Sequence, residues 1–432
     1  MGPSPNRGLT VGILAVTLLG TSAVQAAPPT GVTALFSVAT DGTHGNADSF
    51  DPSLSADGST VAFASLATNL AAPEAEEVVN VFVHEQRTGQ TVRISDGPDG
   101  RGGDGDSRSP VLSGDGSVVA FESNASNLVP GDTNGVWDVF VRDRPSGRTT
   151  RVSVDSGGAQ GNGGSFSPSI SADGRFVAFA SEATALVPGD HNRAEDVFVR
   201  DRRTGRTTLV SVDSAGKPGN ADSYSPSISA DGRFVAFASE ATNLVPGDTN
   251  GATDVFVHDR ESGRTTRVSL ASNGAQIDGD AYTPSISGDG RYVAFTTDAG
   301  NVVPGDANRA SDVFVHDRRT GRTVLVSAGP DGHPSDRGSF TPSLSADGRS
   351  VAFVTDGALV ADDTNNTEDV YVADLATGAL HRVSVASDGS EGNRPSTGPS
   401  LSGDATAVAF ESLATNLVLA DANGAADVFW RR

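Results

Sequence analysis

A Ser-x-Asp-Gly signal recurs along this chain with its aspartate at Asp57, Asp115, Asp173, Asp231, Asp289, Asp347 and Asp404. The first five steps are 58 residues and the last is 57; Ala405 replaces the glycine in the final copy. A second signal, Asp-Val-Phe/Tyr, starts at Asp138, Asp196, Asp254, Asp312, Asp369 and Asp427, with Asn80 in the same place in the first copy. Its steps are also 58 residues, with one of 57. Two independent markers that keep one period confine the chain to a repeat architecture.

Each copy reads as four short strands, a to d. In the fourth copy Ser227-Ile228-Ser229 is strand a, and Asp231-Gly232 is a tight turn that glycine permits. Phe234 to Ala238 is strand b, and a long loop runs from Glu240 to Thr253. Asp254 opens strand c, Val255 to His258, and Ser262-Gly263 turns into strand d, Thr265 to Leu270. Strands b and c carry Val, Phe and Ala on both faces, the pattern of strands buried on both sides. No segment keeps a helical period, so the class is all-β.

The chain ends decide between a closed ring and an open stack. The last copy stops at Asp427-Val428-Phe429-Trp430-Arg431-Arg432, which is strand c. The missing strand d lies at the other end: Thr33 to Asp48, TALFSVATDGTHGNAD, matches TTLVSVDSAGKPGNAD from Thr207. Pairing the two removes an open sheet edge and joins first blade to last. The expectation is a seven-bladed β-propeller of four-stranded blades, its last blade closed by the N-terminal strand. One domain then covers 33–432. Its blades span about 51–95, 109–154, 167–212, 225–270, 283–328, 341–386, and 398–432 with 33–39.

With "SADGRFVAFAS" from Ser229 and "DVFVHD" from Asp254, the chain resembles the TolB-type, WD40-like family of exported propellers. The likeness covers 33–432. It implies the propeller fold and a place outside the cytoplasm. Two departures stand out. Ala or Gly takes the place of the family's proline in Ser-Pro-Asp-Gly, and no stretch is left for the α/β domain that precedes the propeller in TolB. A TolB-like role in an envelope complex is therefore not carried over.

Arg7, the apolar run Leu9 to Leu19 and the small-residue end Val24-Gln25-Ala26 form a secretory signal pattern over 1–26. The run is too short for a permanent membrane span. The mature chain is expected to be secreted, in the cell wall or periplasmic, with no stable span after cleavage. With 54 acidic against 31 Lys and Arg residues, the formal charge is −23. Nucleic-acid binding needs a basic footprint and is excluded. There are 0 cysteines, which excludes disulfides, thiolate metal sites and cysteine nucleophiles.

In a propeller the b–c and d–a loops emerge on one face, here called the top. The b–c loops repeat Asp-x-Asn-x-x-x-Asp as Asp132/Asn134/Asp138, Asp190/Asn192/Asp196, Asp248/Asn250/Asp254, Asp306/Asn308/Asp312, Asp363/Asn365/Asp369 and Asp421/Asn423/Asp427. The first copy has Glu74/Glu76/Asn80. Clustered carboxylate and amide oxygens suit a hard cation, and calcium is the cofactor expected if these loops bind one. The same residues also close Asx-turns and cap strand c. Turns are expected in most blades, with one or two calcium sites. Blades two and four come first, where Gly135 and Gly251 let the backbone fold inward.

Catalytic patterns are absent: there is no Gly-x-Ser-x-Gly, no Walker loop and no His-Glu-x-x-His. His84, His258 and His316 share a position that Arg142 and Arg200 fill in other copies, which reads as surface. Trp137 either stacks on a sugar or peptide or packs between blades. The expected function is a non-enzymatic binding or scaffold propeller, a monomer that takes a protein, peptide or glycan on its acidic top face. The alternative is an exported hydrolase or lyase with a top-face metal or carboxylate site.

Overall fold

A computed structural model describes residues 31–71, 78–304, 306, 308–419 and 421–432. The expected signal peptide, and Glu74 and Glu76 of the first b–c loop, lie outside the described residues. Twenty-eight strands form seven antiparallel four-stranded sheets, each a meander in chain order except the last. That sheet runs Thr33–Leu35, Asp427–Arg431, Val408–Ser412, Ser396–Leu401. The N-terminal strand thus closes the final blade, with Thr33 opposite Arg431 and Leu35 opposite Phe429.

Burial explains why strands b and c are so apolar. In blade four, strand b (Phe234–Ser239) and strand c (Asp254–Asp259) are almost wholly buried. Each blade packs on the next. One core joins Val197 and Val199 of blade three to Val235, Phe237 and Phe256 of blade four. The seventh core joins the ring, with Val428 and Trp430 against Val61 and Phe63. Within every blade the b and c aromatics stack, as Phe237 and Phe256 do at 6.0 Å. Burying one such ring stabilises by roughly 1.5–3 kcal/mol.

Hairpin tips also link blades. Ala172 N–H donates to Ala230 O, and Ala230 N–H to Gly288 O, part of a series running from Ala56 to Gly403. Gly232 has φ 73°, and a Cβ there would lie 2.2 Å from Phe176 of the preceding blade.

Strand a differs from the expectation. In blade four it begins at Ser223 and runs to Ile228, through Pro226. It carries a bulge between Tyr224 and Ser227. Proline is tolerated because strand a is the innermost edge, where a missing N–H breaks no ladder. The residue before each proline is left-handed in all seven blades: Asp51, Ser109, Ser167, Ser225, Thr283 and Thr341 have φ 48–52°, and Gly398 has φ 58°.

A second expectation is corrected. His84, His258 and His316 are only 5%, 6% and 5% exposed. Each Nδ1 lies 2.8–2.9 Å from a threonine hydroxyl on strand d: Thr91, Thr265 or Thr323. Arginine fills the place elsewhere because Arg200 Nη1 reaches Thr207 Oγ1 in the same way. The position is interchangeable through a shared hydrogen bond, not through exposure. No helix among the described residues is long and apolar enough to cross a membrane.

Candidate functional site

The bulged strands converge on the propeller axis. Their proline-centred segments, Ser/Thr-Pro-Ser in blades three to six and Asp51-Pro52-Ser53, Ser109-Pro110-Val111 and Gly398-Pro399-Ser400 in the others, line a cavity of about 460 Å³ bounded by all seven blades. In every blade but the second, where Val111 stands, the serine after the proline bridges to the next blade: Ser169 Oγ accepts from Ile228 N–H at 3.0 Å, and Ser400 Oγ from Leu54 N–H at 3.0 Å across the closure. Left-handed threonines are strained, and such strain concentrates where structure serves a site.

The second residue of strand a immediately precedes the segment that lines this channel. It is Phe50, Arg108, Phe166, Tyr224, Tyr282, Phe340 and Thr397 in blades one to seven. The five aromatics are half-buried and belong to none of the seven cores. Tyr282 Oη lies 3.0 Å from Ser311 Oγ. In blade two Arg108 stacks on Trp137 at 4.3 Å, so this indole faces a guanidinium.

The charged sector breaks the symmetry. Opposite this position strand b usually has Ala, Thr or Val, but Glu122 in blade two and Glu411 in blade seven. Glu122 is 3% exposed, accepts from Arg108 Nε at 2.7 Å and takes the N–H of left-handed Ser167 at 2.7 Å. Glu411 accepts from Thr397 Oγ1 at 2.6 Å and from Asp51 N–H at 3.2 Å. Asp51 borders the channel and is open to it; the protein around it thins the water and pushes its carboxyl up, and the Glu122 charge adds to this. A carboxyl raised in this way keeps its proton to a higher pH than an ordinary one. Sequence reasoning missed this cluster. Its signal was the Glu at 122 and 411 in an otherwise apolar strand position.

The b–c loop acids occupy a different place. The second acid, Asp138, Asp196, Asp254, Asp312, Asp369 or Asp427, is 0% exposed and caps strand c. In blade three it accepts from Ser211 Oγ at 2.5 Å and Asn192 Nδ2 at 2.7 Å. The asparagine amides form the Asx-turns: Asn192 Oδ1 accepts from Ala194 N–H, Asn308 Oδ1 from Ala310 N–H and Asn423 Oδ1 from Ala425 N–H, at 3.0–3.1 Å. Asn134, Asn250 and Asn365 do likewise.

In blades two and four, the first candidates for calcium, an arginine from strand d enters the loop. Arg151 Nη1 lies 2.9 Å from Asp132 and 3.2 Å from Asp138; Arg267 Nη1 lies 3.2 Å from Asp248 and 3.0 Å from Asp254. Blade six holds one set of three carboxylates, Asp363, Asp369 and Glu391, with an oxygen from each within 4.8 Å of the others. Arg382 stands among them, 3.4 Å from Asp363 and paired with Glu391. Tyr371 Oη also donates to Asp363. The donor set suits a hard cation, and a guanidinium supplies that charge here.

The basic side of the molecule is likewise engaged in structure. Arg175 forms a two-pronged pair with Asp201, and Arg260 stacks on Phe176 at 4.5 Å.

No protein-family model and no curated protein sequence matches the chain. Among solved structures it is similar to an oligogalacturonate lyase in complex with manganese, at 14% identity and TM-score 0.53, over 94% of this chain and 91% of that one. The oligogalacturonate lyase from Vibrio parahaemolyticus gives 13% identity and TM-score 0.54, over 93% and 96%. TolB from Acinetobacter baumannii gives 15% identity and TM-score 0.41, over 82% and 76%. The two lyase likenesses establish the propeller fold.

Proposed function

We propose that this chain is an exported, monomeric binding propeller that holds a glycan across the mouth of its axial channel and does not turn it over. The observation that carries this reading is the set of five half-buried aromatics, Phe50, Phe166, Tyr224, Tyr282 and Phe340, each one residue before the channel lining and outside every core. Large aromatics left partly open to solvent around a concavity are stacking platforms for flat apolar faces. Acids and hydroxyls beside them accept and donate to sugar hydroxyls. Exported placement rests on the Arg7, Leu9–Leu19 and Ala26 pattern. The test is binding to an oligosaccharide array and a peptide array by the native chain and by Tyr224→Ala/Tyr282→Ala. Loss of glycan binding at unchanged Tm supports the reading. Retained binding, or binding to peptides alone, overturns the reading.

A second reading, a hydrolase or lyase, is favoured by the off-centre carboxylates Asp51, Glu122 and Glu411 at the channel. The fold likeness to the lyases adds to it. Asp51 would then be the proton-carrying group. Turnover of any glycoside, uronate, lactone or peptide in a substrate screen, lost in Asp51→Asn at unchanged Tm, would establish it.

A further inference from the structure

One position on strand d holds either arginine or leucine around the ring. Facing the aromatic of strand c stand Arg93, Arg151, Leu209, Arg267, Leu325, Arg382 and, on the closing strand, Leu35. The arginines of blades two, four and six enter the loop and lie between its two acids. The leucines of blades three, five and seven pack against the inter-blade cores instead. A second position changes with the first. Gln160, Gln276 and Glu391 accompany the arginines; Pro218, Pro334 and His44 accompany the leucines. The acids themselves do not change.

In blades three and seven both loop acids are therefore buried with no cation. In blade three Asp190 is 2% exposed and its Oδ1 has no hydrogen-bond partner. In blade seven Asp421 is 8% exposed and its Oδ1 is also unpartnered. His191 and His44 are close enough for their charge to reach these acids, yet neither makes an ion pair with them. Among the described residues no Lys, Arg or His nitrogen lies within 4.0 Å of Asp190, Asp196, Asp421 or Asp427. Buried carboxylates are ordinarily paired or coordinate metals, because removing an unpaired charge from water is costly.

We propose that blades three and seven each hold a hard divalent cation between their two b–c loop acids, Asp190 with Asp196 and Asp421 with Asp427, in the place an arginine nitrogen takes in blades two and four. Blade five has the same side chains in Asp306, Asp312 and Leu325. The donors are carboxylate oxygens, which suits calcium before softer metals. Beside the blade-seven loop lies a surface pocket of about 450 Å³, lined by His44, Ala422 and Asn423 next to Asp421 in the chain. Built-in cations in blades two, four and six then stand beside borrowed ones in blades three and seven. This inference is independent of what the channel binds.

The experiment exchanges one kind of cation for the other. Leu209→Arg copies blade two into blade three, and Leu35→Arg does so in blade seven. Both should fold, since the same arginine is accommodated in three other blades. Equilibrium dialysis against CaCl2, with MnCl2 and MgCl2 as parallel arms, counts bound ions. Each variant is expected to bind one ion fewer than the native chain, and the double variant two fewer. The native Tm should rise with millimolar CaCl2 over NaCl at matched ionic strength, and the rise should shrink in each variant. Manganese in place of calcium with the same one-ion losses also supports the sites. A native chain that binds none of the three ions, or a folded Leu209→Arg that keeps the native count, overturns the proposal.

Discussion

Ser37 donates its hydroxyl to Asp427 Oδ1 at 2.6 Å, joining residues 390 apart in the chain. Elsewhere the same bond is local: Ser211 to Asp196 and Ser269 to Asp254 each span 15 residues. The first strand therefore performs in blade seven what each other copy supplies for itself. Around it, Phe36 stacks on Trp430 at 5.5 Å, and Trp430 Nε1 donates to Gly58 O at 2.8 Å.

Ser37→Ala is expected to lower stability by about 1–3 kcal/mol, because it leaves the fully buried Asp427 short of a donor. Removing residues 33–39 should cost more, since it also strips Trp430 of its cover. Thermal melts of both variants check this. An unchanged Tm on deletion would show that the closing strand does not hold the ring.

Arg151→Met should destabilise by about 3–5 kcal/mol in chelator, since Asp132 and Asp138 are left as buried charges without a partner. Adding Asp132→Asn should restore much of the loss. Chemical denaturation of the single and double variants measures both. Equal stability of native and Arg151→Met would mean that the pair contributes nothing.

Burial pushes His258 and His316 down to about 4, against 6.5 for a free imidazole. The unfolded chain therefore takes up these protons first as pH falls. The stability is fully present above pH 6.5 and is lost progressively between about 6.5 and 4, by up to roughly 3 kcal/mol per histidine. His258→Arg, which copies Arg200 and its 3.0 Å bond to Thr207, should flatten part of that slope. Melts of both proteins between pH 7.5 and 4.5 decide it. Identical slopes would remove His258 as a contributor.

Ala405 stands at φ 58° where the six other copies have glycine at φ 68–73°. The left-handed region costs alanine about 1–2 kcal/mol, partly offset by the greater freedom glycine loses on folding. Ala405→Gly should thus stabilise by about 0.5–1 kcal/mol. A shift in the urea midpoint reads it; a lower midpoint would mean that the methyl's packing outweighs the strain.

Blade count, strands b and c, and the closing strand were legible because each is written in the period itself. Val235 and Phe237 read as doubly buried, and they are. Strand a was only half legible: its end, Ser227-Ile228, continues the alternation, but its start passes through Pro226, which argues against a strand unless the free inner edge is known. The buried histidines were misread because substitution by arginine resembles surface tolerance. Only the fold shows that His258 and Arg200 reach the same threonine. The Arg151/Leu209 exchange was in plain view. Its meaning was hidden, since nothing along the chain says that strand d leans into the loop before strand c.

The closing pair also sets a schedule. Thr33 and Arg431 cannot meet until almost the whole chain exists. A chain made from its N-terminus first must keep Thr33–Leu35 unpaired while six blades assemble. Through that interval it is a loose strand among near-copies of its own partner. Each earlier blade already has its own fourth strand, so only the seventh offers a vacancy. Once the six earlier blades are complete, correct closure is a matter of counting, because no other seat is free. Contacts that span so much chain are slow to form, and this pairing spans nearly all of the propeller.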